Sequence, residues 1–211
     1  VPPPLSDLRL YLVTDRTRTR GRPLLDVVEQ ALAGGVDAVQ LREKDLPARQ
    51  LLALAEHLRD LCGQFGARLL INDRLDVALA VGADGVHLPA QSFTPAQARQ
   101  LLGPGSLVGV STHTLSEAHA AAAAGADFIV FGPIYDTPSK RAYGPPLGVD
   151  ALHEACATSR IPVLAIGGIM TTRAAAVRAR GAHGIAVVGA VLEAAEPRAA
   201  AAQLHRALGL P

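Results

Sequence analysis

Short apolar runs alternate along this chain with segments whose apolar positions fall three and four residues apart. The runs are residues 8–15, 67–73, 85–88, 107–111, 128–132, 162–166 and 184–188, together with the stretch holding Val36, Ala38, Val39 and Leu41. Their hydrophobicity is continuous rather than alternating, as in strands buried on both faces of a parallel sheet. Helical spacing marks residues 23–32, 48–65, 74–81, 96–102, 115–124, 149–158, 172–180 and 196–208. The punctuation agrees. Thr94-Pro95 supplies an N-cap with proline at the first helical position, Thr114 caps the next helix, and Gly34-Gly35, Gly66, Gly82 and Gly125 close helices.

The pattern predicts an α/β protein in which eight strands alternate with eight helices. A single (β/α)8 TIM barrel over residues 1–211 fits, near the lower end of about 200 residues for that fold. An open doubly wound sheet is the other arrangement with this alternation. No Gly-x-Gly-x-x-Gly follows the first strand, which weakens a dinucleotide-binding version. No internal linker or second domain is visible.

Composition supports this picture. The chain is 49% hydrophobic and only 3% aromatic, which suits helices packed on a buried sheet. A formal net charge of +1 argues for neither nucleic acid nor membrane as a partner. No apolar run reaches the roughly 18 residues of a membrane span. Residues 1–4 lack the layout of a secretory signal. Cys62 and Cys156 fall in separate helical segments and read as reduced structural thiols. A cytoplasmic location and small-molecule partners are expected, and a homo-oligomer is left open.

In such a barrel the C-terminal strand ends share one rim, where catalytic residues sit. The sequence places there Asp15; Gln40, Arg42 and Lys44; Asn72 and Asp73; Gln91 and Ser92; Ser111 and His113; Thr137, Ser139 and Lys140; Gly167-Gly168; and Gly189. Arg42 and Lys44 lie two apart and share one face of an extended segment. A planar fork beside a mobile point charge is suited to an anion. With Lys140 they point to a strongly anionic ligand. Asp73 is a hard oxygen ligand suited to Mg²⁺, or the N-cap of the helix that follows. Gly167-Gly168 and Gly189, after strands seven and eight, let an anion approach backbone N–H groups. Residues 133–148 form a loop too long for a simple connection. His57, His119, His153 and His205 fall on helices as surface residues, and no zinc-ligand spacing occurs. His113 follows its strand by two residues, as a ligand or a hydrogen-bonded structural residue.

These motifs resemble the thiamine-phosphate synthase family, within the thiamine-phosphate synthase/TenI superfamily. The similar stretches are Gln40-Leu41-Arg42-Glu43-Lys44, Ile71-Asn72-Asp73-Arg74, Ala83-Asp84-Gly85-Val86-His87, Gly109-Val110-Ser111-Thr112-His113, Gly132-Pro133-Ile134-Tyr135, Thr137-Pro138-Ser139-Lys140 and residues 165–169. They occur in family order over almost the whole chain. The resemblance implies a (β/α)8 barrel that joins hydroxymethylpyrimidine diphosphate to thiazole phosphate and releases diphosphate. It implies that Gln40, Leu41, Arg42, Glu43, Lys44, Asn72, Ser111 and Lys140 hold the pyrimidine diphosphate. Thr137, Pro138, Ser139, Gly168, Val188 and Gly189 would hold the thiazole phosphate, and Asp73 would bind Mg²⁺. Arg42, Lys44, Ser111 and Lys140 would carry catalysis by stabilising the leaving diphosphate and positioning the substrates.

Two departures stand out. Ser92 occupies the position where the family usually has a second acidic Mg²⁺ ligand, and Gly189 stands where it often has Ser. The run Leu88-Pro89-x-x-Ser92-Phe93 is similar to TenI-type thiazole tautomerases, whose His at the position of His113 carries proton transfer. Such an enzyme has no diphosphate to bind. Retention of Arg42, Lys44, Asp73 and Lys140 favours the synthase.

Overall fold

The computed structural model describes residues 5–137 and 144–209. Its strands are β1 (Leu10–Val13), β2 (Ala38–Leu41), β3 (Arg68–Asn72), β4 (Gly85–Leu88), β5 (Leu107–Thr112), β6 (Phe128–Phe131), β7 (Val163–Ile166) and β8 (Gly184–Val187). Each pairs in parallel with its neighbours in sequence, and β8 pairs back with β1 to close the barrel. The expected (β/α)8 architecture is therefore present, and the doubly wound sheet is excluded.

The outer layer comprises α1 (Leu24–Ala33), α2 (Ala48–Phe65), α3 (Leu75–Val81), α4 (Pro95–Leu102), α5 (Leu115–Ala123), α6 (Gly148–Thr158) and α7 (Thr171–Ala179). The short α8 (Gly189–Leu192) and α9 (Pro197–Ala207) complete it. Every predicted helix is present, with no end moved by more than one residue. Most strands are shorter than expected, while β4 has the expected bounds and β5 runs one residue longer, to Thr112: β1 ends at Val13, so Thr14 and Asp15 are already loop. The spacing did not predict α8, because four residues are too few to show a helical period.

Successive side chains on each strand point to opposite faces. Leu10, Leu12, Val39, Leu41, Ile71, Val86, Val108, Ile129 and Ile185 pack outward under the helices. Tyr11, Val13, Ala38, Leu70, Leu107, Phe128, Val130, Leu164 and Ala186 fill the interior. Both sets are apolar, which is why the sequence shows continuous runs.

The interior is plugged. Tyr11 and Phe128 meet edge to face with ring centroids 5.7 Å apart, and His87 lies 5.9 Å from Tyr11 and 6.0 Å from Phe128. Gly109 makes room for this stack, since a Cβ there would strike the Phe128 ring. Each such ring pair adds about 0.5–1.5 kcal/mol beyond its buried area.

At the opposite, N-terminal end, three aspartates tie strands together in pairs. Asp37 Oδ2 accepts from the N–H groups of Arg9 and Leu10 at 3.0 and 2.7 Å. Asp84 Oδ2 accepts from Leu69 N–H at 2.8 Å, and Asp127 Oδ2 from Val108 N–H at 2.7 Å. Each aspartate stands just before an even-numbered strand and grips the odd-numbered strand preceding it. Before β8 the residue is His183, whose Nε2 donates to Leu5 O at 2.7 Å while Nδ1 accepts from Arg9 at 3.2 Å.

Candidate active site

The C-terminal mouth of the barrel opens into a cavity of about 540 Å³. Its floor is set by the inward register of β2 to β5. Gln40, Asn72, His87 and Ser111 all line it, and Asn72 and His87 are directly opposite partners across β3 and β4. Gln40 is only 3% exposed, and its Nε2 donates to the Tyr11 hydroxyl at 3.1 Å, which fixes the amide above the plug. His87 Nε2 lies 2.8 Å from Ser111 Oγ, while its buried Nδ1 has no partner among the described residues. Burial, reinforced by the charge of Arg42, pushes the His87 pKa down to about 3. The imidazole is therefore neutral at physiological pH.

The Gln40–Lys44 stretch divides by pleat. Gln40, Arg42 and Lys44 line the cavity. Leu41 packs into the outer core, and Glu43 is buried beside Arg16. The Glu43 carboxylate accepts from the Arg16 backbone N–H at 3.1 Å and from its Nη1 at 3.0 Å. Arg16 also makes a two-pronged contact with Asp45, at 2.7 Å on each nitrogen. Glu43 thus joins the loop after β2 to the loop after β1. Among the described residues, the Arg42 and Lys44 side chains have no ion-pair partner. They form one cationic pole, which Thr14 Oγ1 steadies by accepting from Arg42 N–H at 2.9 Å.

A second group of cations lines the mouth beside the ends of β7 and β8. Gly167 and Gly168 follow β7 at φ 99° and 62°, backbone shapes open to glycine, and both line the cavity with Val188 and Gly189. Arg173 Nη1 donates to Gly168 O at 2.7 Å, and its guanidinium lies 4.5 Å from the Tyr135 ring centre. Arg18, from the loop after β1, also lines this side. Its Nε and Nη2 both lie 2.5 Å from Glu193 Oε1.

His113 and Thr137 complete the wall. His113 Nδ1 lies 2.6 Å from Gly132 O. A carbonyl only accepts, so Nδ1 carries the proton and Nε2 is the acceptor in the neutral ring. Asp73 and Ser92 meet at the rim, where Ser92 Oγ donates to Asp73 Oδ1. Neither lines the cavity, although their neighbours Asn72, Pro89 and Ala90 do. Asp73 adopts φ 65°, uncommon outside glycine, and Arg74 rather than Asp73 is the N-cap of α3. The capping role open to Asp73 in the sequence is thus not taken. A carboxylate and a hydroxyl are hard oxygen donors. Among the described residues no three His, Cys, Asp or Glu side chains gather as a metal site. This donor set suits Mg²⁺, which commonly takes one or two carboxylates plus substrate phosphates and water.

The fold thus collects Gln40, Arg42, Lys44, Asn72, Ser111, His113, Thr137, Gly168, Val188 and Gly189 around one cavity, and leaves Leu41, Glu43, Asp73 and Ser92 off its wall. Pro138, Ser139 and Lys140 lie outside the described residues. Sequence reasoning missed His87, Arg18 and Arg173. The polar residue in the inward register of the Gly85–Leu88 run was the available signal for His87.

Fold and mouth together define the class: a (β/α)8 barrel with a cation-lined cavity at the C-terminal ends of its strands. The family model for thiamine monophosphate synthase matches residues 10–191, and the chain belongs to that family. It is 57% identical over 192 residues to the putative thiamine-phosphate synthase of Geobacter sulfurreducens, covering 91% of this chain and 90% of that one. It is 46% identical over 196 residues to the thiamine-phosphate synthase of Moorella thermoacetica, covering 93% of each chain. The solved thiamine phosphate pyrophosphorylase from Pyrococcus furiosus superposes with a TM-score of 0.88 at 35% identity, over 97% of this chain and 96% of that one. A 3-hexulose-6-phosphate synthase, at 20% identity and TM-score 0.71, shares the fold.

Proposed function

We propose that the protein is a Mg²⁺-dependent thiamine-phosphate synthase, condensing hydroxymethylpyrimidine diphosphate with thiazole phosphate and releasing diphosphate. Two groups of cations lining one cavity carry this reading: Arg42 and Lys44 after β2, and Arg18 and Arg173 beside the ends of β7 and β8. The reaction brings together one substrate with a diphosphate and one with a monophosphate, and each group suits one of them. The names of the most similar relatives favour the synthase over a thiazole tautomerase.

In this reading the pyrimidine ring rests on Gln40, Asn72 and Ser111, with its diphosphate at Arg42, Lys44 and Lys140. Fixed cations there stabilise negative charge as the leaving group departs. His87 is neutral, so it adds no positive charge beside the electron-poor pyrimidine carbon left behind. The thiazole phosphate lies against Gly168, Val188, Gly189, Thr137, Pro138 and Ser139, which aims the ring nitrogen at that carbon. Catalysis is then charge neutralisation and positioning. Asp73, with Ser92 bound to it, would hold Mg²⁺ beside the diphosphate, and the ion would supply further neutralisation of the leaving group.

The test is diphosphate release by purified protein. It is expected to require both substrates and to be lost on chelation of divalent cations. Conversion of a thiazole carboxylate phosphate tautomer without any coupling of the two substrates would sink this reading in favour of the tautomerase.

A further inference from the structure

Three arginines gather near the ends of β7, β8 and β1, and two of them, Arg18 and Arg173, line the mouth. Two are committed to backbone. Arg173 donates to Gly168 O at 2.7 Å and stacks on Tyr135. Arg22 donates through Nη2 to Leu192 O at 2.8 Å, through Nη1 to Ala195 O at 3.2 Å and through Nε to Thr19 O at 2.9 Å. These bonds stitch the loop after β1 to the end of α8 and fix where that loop runs. Arg18 lies on the same loop and differs from both. Its guanidinium meets one carboxylate oxygen, that of Glu193, and both side chains are partly solvated, at 31% and 41%. An exposed ion pair of this kind is worth only about 0–1 kcal/mol. Glu193 is therefore an exchangeable partner.

Arg18 is also fitted closely to the cavity wall. A Cβ at Gly189 would collide with its Nη2. Only a bare backbone at position 189 allows the guanidinium to lie there, beside the residues proposed to receive the thiazole phosphate. Both Arg18 and Glu193 line the cavity.

We propose that Arg18 recognises the phosphate monoester of the second substrate, and that Glu193 holds its guanidinium in place until that phosphate arrives. The assignment rests on the synthase reading above. A dianionic phosphate offers the fork two oxygens and more charge than one carboxylate. Glu193, displaced, turns to water. In the empty site the pair also lowers the local positive charge, so a stray anion gains less by entering.

The experiment measures both Michaelis constants in the parent protein and in Arg18→Ala, Arg18→Lys and Glu193→Gln. Arg18→Ala is expected to raise KM for thiazole phosphate 10- to 100-fold and leave KM for pyrimidine diphosphate within twofold. Arg18→Lys recovers part of the loss. With the unphosphorylated thiazole alcohol as substrate, Arg18→Ala and parent perform alike. Glu193→Gln frees Arg18 and lowers KM for thiazole phosphate about threefold, a readout that stands even if Arg18→Ala fails to fold. An unchanged KM for thiazole phosphate in Arg18→Ala, an equal rise in both constants, or a rise in Glu193→Gln would each overturn the assignment. A parent protein that releases no diphosphate would instead overturn the synthase reading, so the two failures are distinguishable.

Discussion

Arg42 and Lys44 reach the cavity and Glu43 does not, because a pleat separates neighbours and unites residues two apart. Arg42→Ala and Lys44→Ala are each expected to raise KM for pyrimidine diphosphate about 10- to 100-fold, the loss of one hydrogen bond to a charged group worth ~1.5–3 kcal/mol. Melting temperature should stay near the parent value, since neither side chain has an ion-pair partner among the described residues. An unchanged KM would show that this pole does not meet the diphosphate. The pair was legible in the sequence because like charges on one face make a poor core. Leu41 and Glu43 belong to the same motif, but a motif has no faces, so their outward positions emerge only from the fold. His87 was hidden for another reason. One histidine in an apolar run looks like core, and here it is core as well as cavity floor. Arg18 sits in an arginine-rich loop with no period, where sequence alone could not separate it from Arg16, Arg20 and Arg22.

The elements themselves were easier to read. Each run of four to six strand residues is buried on both sides, so its hydrophobicity is unbroken, and the glycines between runs mark where helices stop. What spacing left unread is how strand pairs are held at the N-terminal end. Gly125 marks the end of a helix, and Asp127 two residues on does more than lead into the next strand. Its carboxylate accepts from Val108 N–H at 2.7 Å and from Arg99 Nη2 at 2.8 Å. Asp127→Ala strands the Val108 backbone donor and removes the charge partner of Arg99, which keeps its bonds to Ser106 O and Gly125 O at 3.0 Å each. The expected cost is about 2–3 kcal/mol, with the catalytic constants unchanged because the site lies at the other end of the barrel. Urea unfolding monitored by circular dichroism measures it. A midpoint equal to the parent's would show that the tie is dispensable. Asp84, paired with Arg59 at 2.7 Å, makes the same arrangement one strand pair earlier.

At the scale of the whole molecule the two ends of the barrel have separate tasks. One end ties strands, the other gathers charge, and the plug of Tyr11, His87 and Phe128 lies between them. Aromatic residues are scarce in this chain, and three rings of similar size at its centre leave no passage through it. Traffic therefore has one doorway. In the synthase reading the pyrimidine ring lies innermost, and the thiazole enters behind it, so an early arrival is shut in by a later one. Labelled pyrimidine diphosphate should leave the protein several-fold more slowly when an unreactive thiazole phosphate analogue occupies the outer place. Equal rates of escape would mean that the doorway is wide enough for two to pass.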